Sequence, residues 1–251
     1  MQSLDDALLE QFISRFLGYG SFNSRVWFIG MEEGGGNDFA QVSRRLETWR
    51  ARGLRELEDV RDYHLAIGID RFFREPVKIQ RTWAHLVRVY LSALGRSTET
   101  VEIKEYQAKK LGRHDGDTAI LELMPLCSPG TNRWFYDRWS SIPYLKTRER
   151  YLSQVMPNRI AILKNKLQTN QPKVVVFYGA SYREYYEQTI GARTNLISEL
   201  DCYSCDVRST RYLIIKHPAA KGITNQYFLK IGHHLHEWLK EIDSKLCHPD
   251  G

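Results

Sequence analysis

Four short apolar runs, separated by segments of helical periodicity, constrain this chain more than any other feature. They are 25–30, Thr118–Met124, Lys173–Gly179 and Arg211–Ile215. Runs of this length bounded by glycine or turn residues read as buried strands. Between them, apolar residues recur at helical spacing. Segment 3–17 carries Leu8, Leu9, Phe12, Ile13, Phe16 and Leu17 on one stripe, and 38–50 carries Phe39, Val42, Leu46 and Trp49. The stripe from Thr82 to Leu94 carries Trp83, Leu86, Val87, Tyr90 and Leu91, and Gly95 stops it. Further helices are expected over 147–168, interrupted near Pro157, over Ser181–Thr189, and over about 225–241. Segment 193–210 reads as irregular, and 51–79 gives no clear periodicity. Strands that alternate with helices argue for an α/β fold whose sheet is mostly parallel and covered on both faces. The expectation is a three-layer α/β/α domain over residues 1–251 with a central sheet of four strands.

Composition narrows the class. The chain has 251 residues with 42% hydrophobic content, enough for a substantial core, and no internal repeat. No apolar run approaches the roughly 18 residues of a membrane span. The first residues are acidic rather than basic, so no signal peptide is expected. A soluble intracellular protein is the expectation, without membrane contact. A net charge of +6 suits an anionic partner such as nucleic acid, and equally suits a basic protein with none. Of the cysteines, Cys202 and Cys205 could form half a metal site, but no histidine spacing completes it, so no metal is expected. His233, His234 and His236 read as a solvated helix face.

Chemistry concentrates at strand ends. The first run breaks into Gly30-Met31-Glu32-Glu33-Gly34-Gly35-Gly36, placing two carboxylates where a dinucleotide loop would need to welcome phosphate. The second ends at Glu122 and opens onto Ser128-Pro129-Gly130-Thr131-Asn132-Arg133, and the fourth ends at His217-Pro218. In an open α/β sheet such ends converge along one edge. A carboxylate facing a histidine, with a basic and aromatic rim, suits a hydrolytic site.

Together these motifs resemble the uracil-DNA glycosylase superfamily, in order and approximate spacing from residue 25 to about 240. Gly30-Met31-Glu32-Glu33-Gly34 stands for the first motif, and His217-Pro218-Ala219-Ala220 for the last. Gln171-Pro172-Lys173 with its valine run looks like an intervening strand of the family. The resemblance implies that Glu32 activates water, with Glu33 as the alternative, and that His217 donates to the departing base. Independently, cleavage of an N-glycosidic bond passes through an oxocarbenium-like sugar, which needs a carboxylate and a donor of this kind.

Two departures are informative. Glu33 stands where most branches carry proline. Glu122 stands near an asparagine that reads uracil; an ionised glutamate only accepts hydrogen bonds, which suits a cytosine-type amino group, unless Glu122 simply pairs with a nearby arginine. Base recognition is thus expected from Glu122 and Met31, with Phe72 or Phe73 stacking on the base. For DNA contact the expectation is Lys221 on phosphate, Ile223 as a wedge, and an edge of Arg133, Trp134 and Arg138, although core packing competes for the aromatics. The glycines after Glu33 would leave room for a base substituent. The expected protein is a monomeric, prokaryotic, cytoplasmic DNA glycosylase without cofactor, removing modified cytosines from phage DNA in double- or single-stranded form. The alternatives are excision of uracil or another deaminated base, and an inactive nucleic-acid-binding relative.

Overall fold

The computed structural model describes residues 2–130 and 132–247. Thr131 of the expected Pro-Gly-Thr-Asn loop lies outside them. The fold is α/β, and its mixed sheet has eight strands rather than the four expected. In chain order come α1 (Asp6–Arg15), β1 (Gly18–Tyr19), β2 (Val26–Gly34), α2 (Phe39–Ala51), β3 (Leu57–Glu58) and α3 (Val60–Ala66). Next are α4 (Arg81–Ala93), α5 (Thr100–Lys109), β4 (Thr118–Ser128), α6 (Tyr136–Trp139) and α7 (Arg148–Asn170). The rest comprises β5 (Val174–Tyr178), α8 (Arg183–Ile190), β6 (Asn195–Ile197), β7 (Cys202–Val207), β8 (Thr210–Ile215) and α9 (Asn225–Cys247).

The strand order is β3-β1-β4-β2-β5-β8-β7-β6. β4, β2, β5 and β8 hydrogen-bond to one another in parallel. β1 runs antiparallel to β4, and β6, β7 and β8 form an antiparallel meander at the other edge. β6 and β7 occupy the segment expected to be irregular. Both are short and largely half-exposed or exposed, so they lack the apolar run that marks the central strands.

Two boundaries differ from expectation for a physical reason. β2 does not stop at Gly30. It continues to Gly34 because β4 extends beside it to Ser128 and supplies partners, with a register shift between Glu32 and Gly34. Two steps along β2 there match four along β4, and the extra length of β4 includes Pro125, which has no N–H to give a ladder. α7 runs unbroken through Pro157. Proline removes one helical hydrogen bond, but Tyr151, Val155, Met156, Arg159, Leu163 and Leu167 anchor α7 on both sides of it.

Cys202 and Cys205, three apart on β7, fall on opposite faces because a strand alternates at every residue. Among the described residues, no cluster of three or more His, Cys, Asp or Glu side chains could hold a metal ion. No described helix is long and apolar enough to cross a membrane.

Candidate active site

β2 carries the site because it lies between β4 and β5 in the sheet. Gly30 is in register with Glu122 on one side, and β5 continues the same rung to Tyr178 on the other. A β-carbon at Gly30 would fall 2.4 Å from the Tyr178 hydroxyl oxygen and 2.5 Å from Glu122 Oε2. Glycine is therefore required, and its bare backbone lets Tyr178 reach across β2 and donate to Glu122 Oε1 at 2.9 Å.

Glu32 and Glu33 are adjacent on an extended strand, so they point to opposite faces. Glu32 lies two residues beyond the Gly30–Glu122 rung along β2. Its Oε1 accepts from Nη2 of Arg148, the first residue of α7, at 2.8 Å. The Glu32 side chain is only 11% exposed, and its Oε2 is buried without a partner, as is Nε of Arg148. Burial raises the Glu32 pKa, and the Arg148 charge and hydrogen bond oppose that rise without cancelling it.

Glu33 faces the other way into a saturated network. Arg45 of α2 forks onto both carboxylate oxygens at 3.0 Å each, and the Tyr19 hydroxyl donates to Oε2 at 2.8 Å. His64 Nε2 of α3 lies 3.5 Å from Oε1. Burial alone would raise the Glu33 pKa; Arg45 first, then His64, overcome it and hold the carboxyl far below its usual range. Both oxygens are committed to fixed partners, so the geometry favours Glu32 over Glu33 as a group able to engage a ligand.

Glu122 is 6% exposed, and its Oε2 has no partner. Burial pushes its pKa well above the carboxylate range; the Tyr178 hydrogen bond opposes this, while the Glu33 and Glu32 charges add to it. Burial without a counter-charge favours the neutral form, against the premise that Glu122 is ionised and can only accept. The alternative arginine pairing does not form at the side chain: Arg159 of α7 spends its hydrogen bonds on the backbone carbonyls of Leu123 and Glu122, at 2.8 and 2.9 Å. With Tyr178 donating to Oε1, the free oxygen is the natural place for the proton.

His217 follows β8, with its ring centroid 5.8 Å from that of Tyr178. Its Nδ1 accepts the Ala219 N–H at 3.0 Å. In the neutral ring the hydrogen then sits on Nε2, the one nitrogen left to donate. The imidazole is exposed at its edge, yet desolvation by its surroundings lowers its pKa and favours that neutral form.

The remaining expectations divide by place. Met31 is buried in the core. Phe73 is buried between His64 and Trp83, and Phe72 packs edge-on against Trp83, so both belong to the Glu33 side. Trp134 is half-buried, donates from Nε1 to the Leu145 carbonyl at 2.7 Å and packs on Tyr136 and Tyr151, which makes it a packing residue. Arg133, Arg138 and Lys221 are exposed, whereas Ile223 is half-buried against the core. His236 Nδ1 hydrogen-bonds the Ala93 carbonyl at 2.9 Å and His233 is exposed. Of the three glycines after Glu33, Gly34 alone opens onto free space; Gly36, at φ +68°, would drive a β-carbon to within 2.9 Å of Cys127 Sγ.

Sequence reasoning missed Arg148, Tyr178, Arg45 and Tyr19. Arg148 does follow an N-cap, Thr147, and Tyr178 does close an apolar run before a glycine, but only the register shows what each reaches. The chain matches no protein-family model and no curated protein.

Proposed function

We propose that this chain is a monofunctional DNA glycosylase that uses Glu32 to direct water at the sugar C1′ of a flipped nucleotide. The observation that carries the reading is the arrangement of Glu32: one oxygen fixed by Arg148, the other buried and free, two residues along β2 from the rung where Tyr178 meets Glu122, with His217 beside that tyrosine. As the N-glycosidic bond breaks, its electron pair passes to the base. His217 Nε2–H stabilises the charge developing on the base carbonyl, and Glu32 takes the proton of the attacking water. No lysine amine and no cofactor enters this scheme.

The base proposed is a modified cytosine, such as the glucosylated hydroxymethylcytosine of phage DNA, which would make the protein an antiviral defence enzyme. Protonated Glu122 would donate from Oε2 to the cytosine ring nitrogen, and the space beside Gly34 would take the substituent. One observation also favours the second reading, excision of uracil: a neutral carboxyl offers a donor and an acceptor, which fits a uracil edge equally well.

The test is single-turnover base release from duplexes and single strands carrying uracil, hypoxanthine, 5-hydroxymethylcytosine or its glucosylated form, read as alkali-labile sites. Release from the glucosylated substrate is expected, and Glu32→Gln should slow it by ~10²–10⁴-fold while DNA binding is kept. Release confined to uracil would establish the second reading. An unimpaired Glu32→Gln protein would refute the assignment of Glu32.

A further inference from the structure

A second feature lies beside this site, on the loop that leads into α4 and on α4 itself. Residues 70–88 hold five cations, Arg71, Arg74, Lys78, Arg81 and Arg88, against two carboxylates, Asp70 and Glu75. The first four cations are exposed and Arg88 is half-buried. Among the described residues none of the five forms an ion pair, although most buried or half-buried arginines of this protein do, as at Arg45, Arg113 and Arg148. Glu75 instead accepts the Val77 N–H at 3.2 Å.

The cations form one strip. The Lys78 N–H donates to the Arg71 carbonyl at 2.8 Å, which closes the loop and sets those two residues side by side. The Arg71 guanidinium lies over the Phe72 ring at 4.7 Å, and Phe72 in turn packs on Trp83 of α4. Arg81 and Arg88 are two helical turns apart on one face, about 10 Å along the axis. Between them His85 stacks on Phe228 at 4.3 Å, and its Nδ1 lies 3.2 Å from Nη1 of Arg88. Burial, and then the Arg88 and Arg81 charges, press the His85 pKa down to about 4.

The strip adjoins the proposed catalytic edge. Trp83 touches His64, which lies against Glu33, and Phe228 belongs to the helix that follows the His217–Ile223 loop with its exposed Lys221. We propose that this strip docks the phosphodiester backbone of duplex DNA. The Arg81–Arg88 spacing of about 10 Å matches about three phosphate steps of one strand. The contacts are cationic and lack a groove-reading element, so they position the duplex without selecting sequence. The choice of DNA over another polyanion rests on the glycosylase reading; the docking strip itself does not.

The test is fluorescence anisotropy with a short labelled duplex, titrated at salt concentrations from about 50 to 200 mM. Arg81→Gln/Arg88→Gln and Arg71→Gln/Lys78→Gln should each bind roughly tenfold more weakly at the low-salt end and flatten the log–log salt slope by about 1.8, that is about 0.9 for each phosphate no longer neutralised. The weakening should be the same for unrelated sequences. A control, Arg15→Gln/Arg208→Gln, removes equal exposed charge elsewhere. Strip variants that match this control, or a wild-type protein that does not bind the duplex at low salt, would overturn the proposal. Base release measured on the same proteins keeps the two readings apart. Normal strip behaviour with no release on any substrate removes the glycosylase reading alone, and release with unchanged salt slopes in the variants removes the strip alone.

Discussion

Glu32 and Glu33 are neighbours of one chemical type, yet they occupy different environments because a strand sends successive residues to opposite faces. At Glu33 both carboxylate oxygens have a fixed donor from Arg45 or Tyr19, and the pKa falls. Glu32 and Glu122 each keep one buried oxygen unpartnered, and both pKa values rise. Saturated polar networks fix a structure; buried groups left partly unsatisfied carry a cost that a functional site can justify. The contrast therefore separates a structural carboxylate from candidate reactive ones, which the bare Glu-Glu pair in the sequence could not do.

The largest effect is expected where the saturated face is broken. Glu33→Ala leaves the Arg45 guanidinium buried without its counter-charge, which costs about 3–5 kcal/mol. Chemical denaturation should register that loss, while Glu32→Gln should stay near wild-type stability. Equal destabilisation by both would erase the distinction between the faces. A smaller effect is expected at the rung that Gly30 forms between Glu122 and Tyr178. Gly30→Ala forces a β-carbon into the Tyr178 hydroxyl and Glu122, and overpacking of this kind costs about 1–3 kcal/mol. Made in a Tyr178→Ala background, which lacks both that hydroxyl and the ring carbon 2.5 Å away, Gly30→Ala should cost less than in the wild type and so recover part of the loss. No recovery would mean that the clash is not what the substitution creates.

The central strands could be read because each is an apolar run buried on both sides, as in Val174–Tyr178. The outer ones could not. β7 mixes Ser204 and Asp206 with half-buried neighbours, and β1 and β3 are two residues each. α5 was equally silent, since its polar sequence buries only Ile103, Tyr106, Gln107 and Ala108. At the site, the strand-end rule located Glu32, Glu122 and His217. It could not orient them. Reading Gly34, Gly35 and Gly36 as an open loop hid the fact that β2 continues there, held by the extension of β4. The environment of Glu122 was hidden for a related reason: sequence does not report that Gly30 leaves a gap through which Tyr178 donates, nor that the carboxyl is buried deeply enough to favour its neutral form.

Glu122 supplies the finest test of the comparison, because it and Glu33 should respond to pH with opposite sign. Glu33 has a depressed pKa in the folded protein, so its contribution is present above the unfolded value of 4.5 and is lost as acid reaches the folded one. Glu122 has a raised pKa. Its folded form keeps a proton that the unfolded chain releases above 4.5, so its contribution is complete below that value and is lost as pH rises toward the folded pKa. Glu122→Gln keeps an oxygen to accept from Tyr178 and cannot ionise. Its stability advantage over wild type should therefore grow with pH above about 5, at up to about 1.4 kcal/mol per pH unit, until the folded pKa is reached. Using the difference between the two proteins cancels the Glu32 and His217 titrations that both share. Urea denaturation at several pH values from about 5 to 8 measures it. A difference that is constant across that range would mean that Glu122 is ionised in the folded protein, and the cytosine reading would return to the amino-group contact first expected of an ionised glutamate.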